Sequence, residues 1–184
     1  MHKKAYTLAL ALALALSGAL ALTGCTSSPS PTSTPSDVTS SATPSNTSSA
    51  GDASAYTMGT DMGKKPTIEI AAGAGNVDNL IVKDVVEGTG AAVQSTDNVT
   101  VQYVGIGALS RQQFDASWDA GTTASFPLNG VILGWQQGLV GMKVGGRRLL
   151  VIPGALAYGS TPPDGSGIQA NETLIFVVDL ISIP

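Results

Sequence analysis

Residues 125–148 read SFPLNGVILGWQQGLVGMKVGGRR, and the spacing inside this stretch decides the fold. Ile132, Trp135, Leu139 and Met142 fall at steps of three, four and three, which puts them on one side of a short helix. Gly145 and Gly146 are expected to stop it, because glycine readily takes the left-handed conformation that follows a last turn. Gly134, Gly138 and Gly141 each weaken an isolated helix by about 0.8–1 kcal/mol relative to alanine. Such a helix persists only where packing holds it, and its glycines allow close approach to a sheet.

The flanking segments supply the sheet. Asn98–Gly105 alternates, with Val99, Val101 and Tyr103 on one face and Asn98, Thr100 and Gln102 on the other. Leu80–Val86, Leu149–Ile152 and Thr173–Ile183 are rich in Ile, Val and Leu and read as strands. Thr67–Ile70 reads as a short edge strand, and the following AAGAGNVDN as a loop. A sheet with one buried face, packed on one short helix, makes a single α+β domain over residues 65–184 with its core in 80–184.

The start of the chain reads differently. MHKKAYTLALALALALSGALALTGC has a basic beginning, an Ala/Leu run and small residues before Cys25, the layout of a bacterial secretion signal over residues 1–24. Leu22, Thr23, Gly24 and Cys25 resemble a lipoprotein box, in which the cysteine receives a diacylglyceryl group after cleavage. A retained membrane helix and an ordinary signal are the other readings of the same run. From Thr26 to Ala50, 20 of 25 residues are Ser, Thr or Pro, too few apolar groups to offset the entropy of ordering. Residues 25–64 are therefore read as a lipidated cysteine followed by a disordered tether, with a root-mean-square span of about 35 Å over Thr26–Lys64. The expected location is outside the cytoplasm, anchored to the bacterial cell membrane.

Composition narrows the chemistry. The chain has one histidine and one cysteine. Signal removal takes His2 and lipidation caps Cys25, so neither a disulfide framework nor a thiolate metal site is expected. Removal of Lys3 and Lys4 leaves seven Lys and Arg against 13 Asp and Glu, a net charge of −6, which disfavours nucleic acid. Arg147 and Arg148 read as a solvated strand edge. Gly105 and Gly107 begin a glycine pattern, but Ser110 stands where a dinucleotide fingerprint needs its third glycine.

Seven aromatics, Tyr103, Phe114, Trp118, Phe126, Trp135, Tyr158 and Phe176, lie in the second half. Each alone reads as core packing. Together, in a mature chain without histidine or free thiol, they point to a site that binds and reshapes its substrate.

The order of motifs carries a resemblance. VQYVG at 101–105, QQFDAS at 112–117, the 125–148 stretch, PGALAYG at 153–159 and NETLIFVVDLISI at 171–183 resemble the FK506-binding-protein (FKBP) family of peptidyl-prolyl isomerases over about Leu80–Pro184. The resemblance implies an antiparallel, half-wrapped sheet around one short helix, with the substrate proline between them. It implies Trp135 as pocket floor and Tyr103, Phe114, Phe126, Val131, Ile132 and Phe176 as walls. Asp115 and Tyr158 would form the polar rim, and the Ile132 backbone N–H would meet a substrate carbonyl. Ile168 matches an apolar contact on the loop before the last strand. Asp115, Tyr158, Trp135, Phe114 and Tyr103 are the expected catalytic set; Trp118 has no counterpart and reads as a loop or surface packing residue.

The chain departs from the family pattern in the rim: Ala124 replaces a frequent aromatic, 129–131 is about two residues shorter, and the 160–170 loop, which in this family influences substrate choice, differs. The implied partners are proline-containing polypeptides and FK506-like macrolides, and the implied reaction needs no cofactor or metal. A non-catalytic chaperone or partner-binding module and a surface adhesin on the same fold are the competing readings.

Overall fold

Residues 53–184 are described by a computed structural model. The expected signal over 1–24, Cys25 and the tether up to residue 52 lie outside the described residues. Eight strands and two helices follow in order: β1 (Tyr56–Met58), β2 (Ile68–Ile70), β3 (Ile81–Val86), β4 (Asn98–Gly107), β5 (Gln113–Ala116), α1 (Ser117–Ala120), β6 (Ala124–Pro127), α2 (Leu133–Leu139), β7 (Arg147–Ile152) and β8 (Leu174–Ser182).

The main sheet is antiparallel in the order β3-β7-β8-β4-β5, with β6 also paired to β4. β4 serves two partners on one edge. Its first half, Asn98–Val101, pairs with β6, and its second half, Val104–Ile106, pairs with β5. Register shifts between Thr100 and Val101 against β8, and between Gly105 and Ile106 against β5, mark irregularities of the kind that bend a strand. The long alternating stretch seen in the sequence is thus the strand about which the sheet wraps.

On the front face Val99, Val101, Tyr103, Leu150, Ile152, Phe176 and Val178 pack against Trp135, Leu139 and Met142. This is the core that the alternation of β4 and the helical spacing predict. α2 is shorter than that spacing suggests. It ends at Leu139, and Gly141, at φ +79°, takes the left-handed conformation first; Gly145, at φ +85°, takes it as expected, but four residues further on. Arg148 explains the early stop. Its guanidinium donates to the carbonyls of Gly138 (2.8 Å) and Val140 (3.3 Å) while pairing with Asp84 (2.7 and 2.9 Å), which satisfies the orphan acceptors at the helix end with a cation.

The helix glycines behave as expected. A Cβ on Gly134 would lie 2.3 Å from Ile152 Cγ2, and one on Gly138 would lie 2.6 Å from Leu150 Cδ2. Gly134→Ala therefore has to push α2 off β7, and we expect a loss of about 1–3 kcal/mol, because overpacking outweighs the gain in helix propensity. Urea unfolding of the full chain measures it; an unchanged midpoint would count against the close approach.

Three readings are corrected. The sheet is buried on both faces, not one: Leu149, Val151, Ile175 and Val177 form a second core with Tyr56 and Ile81. This accounts for the unbroken apolar runs of β7 and β8, since a strand covered on both sides has no reason to alternate. The tether boundary at residue 64 is too late. Ala53, Ala55, Tyr56 and Met58 pack on the back face, and β1 pairs with β2 as a two-stranded sheet. Arg147 and Arg148 are not a solvated edge, being 0% and 8% exposed. Arg147 pairs with Asp179 (2.5 and 2.7 Å) and donates to the carbonyls of Gly59 (2.7 Å) and Lys64 (2.9 Å), so the β1–β2 segment closes over its charge. Composition alone conceals this, because the partner carbonyls lie more than 80 residues earlier.

Candidate active site

The site is assembled from the front of the sheet and the start of α2. β4 carries Tyr103, β5 Phe114 and Asp115, β6 Phe126, α2 Trp135 and β8 Phe176. Trp135 is the hub. Its ring meets Phe176 at 5.3 Å, Tyr103 at 5.5 Å and Phe126 at 5.9 Å, each close to perpendicular. Phe176 in turn meets Phe114 at 5.5 Å and 85°. Edge-to-face pairs of this kind contribute about 0.5–1.5 kcal/mol each beyond area burial, so the rings fix one another's orientation.

Burial grades outward. Trp135, Phe176 and Tyr103 are buried, whereas Phe114, Phe126, Val131, Ile132, Tyr158 and Ile168 are half-buried and pack against them. All ten site residues read from the sequence thus belong to one neighbourhood, with Asp115 joined to it by a hydrogen bond from the Tyr103 hydroxyl (2.6 Å). Ala124 also packs against this core, opposite Val101, in place of a ring. Trp118 lies apart on α1, half-buried.

Backbone positions are locked locally. The Gln136 side chain donates to the Val131 carbonyl (2.8 Å), steadying the turn into α2. The Tyr103 N–H donates to Ser117 Oγ (2.8 Å), whose own proton goes to Gln102 Oε1. Gly105 is a glycine inside an alternating strand, a position that signals a close approach. A Cβ there would lie 2.6 Å from Phe114 and 2.9 Å from Phe176, so only glycine lets these two rings meet over β4.

Electrostatics keep the phenols neutral. Burial pushes the Tyr103 pKa up, and its bond to Asp115 and that carboxylate's charge add to the effect. Burial and the charge of Asp115 likewise raise Tyr158, and burial raises Tyr56. A phenol that ionises more readily in the unfolded chain releases its proton on unfolding. Stability is therefore full below the ordinary tyrosine pKa of 10.0 and falls as pH rises past it. Thermal unfolding between pH 8 and 11 is expected to show a steady fall above pH 10, weakened in Tyr103→Phe; no fall in either protein would contradict the burial argument.

The arrangement gathers apolar rings around Trp135, with one carboxylate and two neutral phenols beside them. Such a surface suits a small apolar ring rather than an ion. A family model described as FKBP-type peptidyl-prolyl cis-trans isomerase matches residues 90–181. The chain is 48% identical over 120 residues to a probable FK506-binding protein of Corynebacterium glutamicum, covering 65% of this chain and 98% of that one. It is 46% identical over 122 residues to an FK506-binding protein of Streptomyces anulatus, again covering 65% and 98%. The crystal structure of FkpA from Escherichia coli is similar at a TM-score of 0.52 and 39% identity, over 61% of this chain and 52% of that one. A peptidyl-prolyl cis-trans isomerase structure from Pseudomonas syringae gives 0.52 and 30%, over 59% and 77%. Half of the chain matching the family model, and nearly the full length of two relatives aligned to it, agree with the fold and the ring cluster: the chain belongs to the FKBP-type peptidyl-prolyl cis-trans isomerases.

Proposed function

We propose that the protein accelerates X-Pro bond rotation in secreted or surface polypeptides, with the proline ring seated on Trp135. The observation that carries this reading is the convergence of the Tyr103, Phe126 and Phe176 rings around that indole. In this reading Phe114, Val131, Ile132 and Ile168 bound the ring's sides, and the Ile132 N–H receives the substrate carbonyl. Asp115, held by Tyr103, and Tyr158 meet the polar atoms beside the twisting bond.

Rotation has a barrier of about 18–20 kcal/mol because twisting removes amide resonance. The planar amide is the more charge-separated form, so water favours it. An apolar seat withdraws part of that solvation, and walls that fit the twisted geometry better than either planar one lower the barrier by differential binding. An acceleration of about 10⁵ requires about 7 kcal/mol. Cis and trans differ by about 0.5–1 kcal/mol, so the reaction needs no energy input.

The test is isomerisation of a proline peptide by the full chain, with and without an FK506-like macrolide. A macrolide-sensitive acceleration is expected. A folded protein that binds the peptide yet leaves the rate at its uncatalysed value would replace this reading with a non-catalytic binding module.

Anchoring is a separate part of the proposal. It rests on the sequence ending in Leu22–Cys25. Fatty-acid labelling of the protein in a bacterial host should mark the native chain and vanish in Cys25→Ala; equal labelling of both would refute the anchor.

A further inference from the structure

Two carboxylates are buried among the described residues, Asp179 and Glu172, each 2% exposed. Asp179 has Arg147 as its counter-ion. Glu172 is satisfied differently, by backbone. Its Oε1 accepts the N–H groups of Leu109 (2.9 Å) and Ser110 (2.8 Å), and its Oε2 accepts the N–H of Gln169 (2.7 Å). Burial raises the pKa of this group, but the three backbone donors, together with the Ser110 hydroxyl, outweigh it and hold the carboxyl below its ordinary range. It is charged at neutral pH.

The three donors belong to two different loops. Leu109 and Ser110 lie between β4 and β5, and lead directly into Phe114 and Asp115. Gln169 lies between β7 and β8, next to Ile168 and on the same loop as Tyr158. One side chain thus bolts together the two segments that bring opposite parts of the candidate site. Gly107 is shaped to it, since a Cβ there would lie 2.4 Å from Oε1. A carboxylate suits this place because both of its oxygens accept and neither donates, and bonds to an ionised acceptor are about twice as strong as neutral ones.

We propose that Glu172 is a specificity-determining positioning residue: by fixing Ile168 against the Phe114–Asp115 side, it sets which residue before proline the enzyme accepts. The inference rests on the isomerase reading. With the proline ring on Trp135, the residue before it has to rest beside the ring cluster, where the 153–173 loop supplies Ile168, one residue from the anchored Gln169 N–H. A loop held at Gln169 presents Ile168 at one distance only, and so discriminates by side-chain size. A loop released there yields to any neighbour.

Glu172→Gln isolates the effect. The amide keeps the volume but has one accepting oxygen, which remains with the two donors Leu109 and Ser110; its NH2 then faces the N–H of Gln169, and that arm is lost. The experiment measures kcat/KM of the full chain on a series of peptides that differ only in the residue before proline, with amide exchange at Gln169. Exchange at Gln169 should quicken, and the spread across the series should narrow by about tenfold. In an Ile168→Ala background the same substitution should leave the spread unchanged, because the residue through which it acts is gone.

A common drop in kcat/KM for every peptide, or an unchanged spread, would overturn the proposal while leaving the isomerase reading intact. A folded wild-type protein inactive on the whole series would overturn both. Should Glu172→Gln fail to fold, Gln169→Pro removes the same N–H and keeps the carboxylate, with the same expected narrowing.

Discussion

Arg147→Met is expected to lower the stability of the full chain by about 3–5 kcal/mol, because it leaves a buried charge uncompensated. Asp179 is 2% exposed, and its carboxylate loses both guanidinium bonds at once. The carbonyls of Gly59 and Lys64 lose their donor as well, which loosens the segment over the back face. Against a typical total of about 5–15 kcal/mol, such a loss is decisive. The double variant Arg147→Met/Asp179→Leu should recover most of it, since a buried ion pair replaced by apolar groups of similar volume is often neutral or better. Urea unfolding of the two variants measures the difference. If the single variant loses less than about 1 kcal/mol, the pair behaves as an exposed one and the burial is wrong.

Trp135→Ala is expected to reduce kcat/KM for proline-peptide isomerisation by about a hundredfold. The indole makes three perpendicular ring contacts, at 5.3, 5.5 and 5.9 Å. With about 0.5–1.5 kcal/mol in each, their loss frees Tyr103, Phe126 and Phe176 to turn into the space and deprives the proline ring of its seat. Stability falls too, by about 3–5 kcal/mol for a buried Trp→Ala change. Activity is therefore measured on the folded fraction, determined from far-ultraviolet circular dichroism in the same sample. Trp135→Phe retains a ring and should lose less. Activity of the folded alanine variant within about threefold of wild type would remove Trp135 from the site.

The parts of the fold legible in the sequence are those set by local periodicity. β4 alternates because one face meets α2, and Ile132, Trp135, Leu139 and Met142 share a side because they face the sheet. The site residues follow from motif order, and Tyr103, Phe114, Asp115, Phe126 and Phe176 come together because β5, β6 and β8 all pair with β4.

What the sequence does not disclose depends on distant partners. Tyr56–Met58 looks too short and polar to be a strand until Ile81, Leu149 and Val151 offer a surface to cover. The two arginines look like surface residues until Asp179, Asp84 and four backbone carbonyls surround them. Glu172 gives no local sign of its task, because its donors sit 62 and 63 residues earlier and three residues before it. Gly105 does carry a local sign, a gap in an alternating strand, which marks the close approach of Phe114 and Phe176.

The chain enters the described domain at Ala53, on the side of the sheet turned away from Trp135. Any tug arriving through the preceding residues is met first by the β1–β2 ladder and by the grips of Arg147 on Gly59 and Lys64 and of Arg111 on Ile70, Ala71 and Ala74. These act as a strain relief, like the collar where a cable joins its plug. A pull applied at Ala53 is thereby spent on the back of the sheet before it reaches the rings around Trp135.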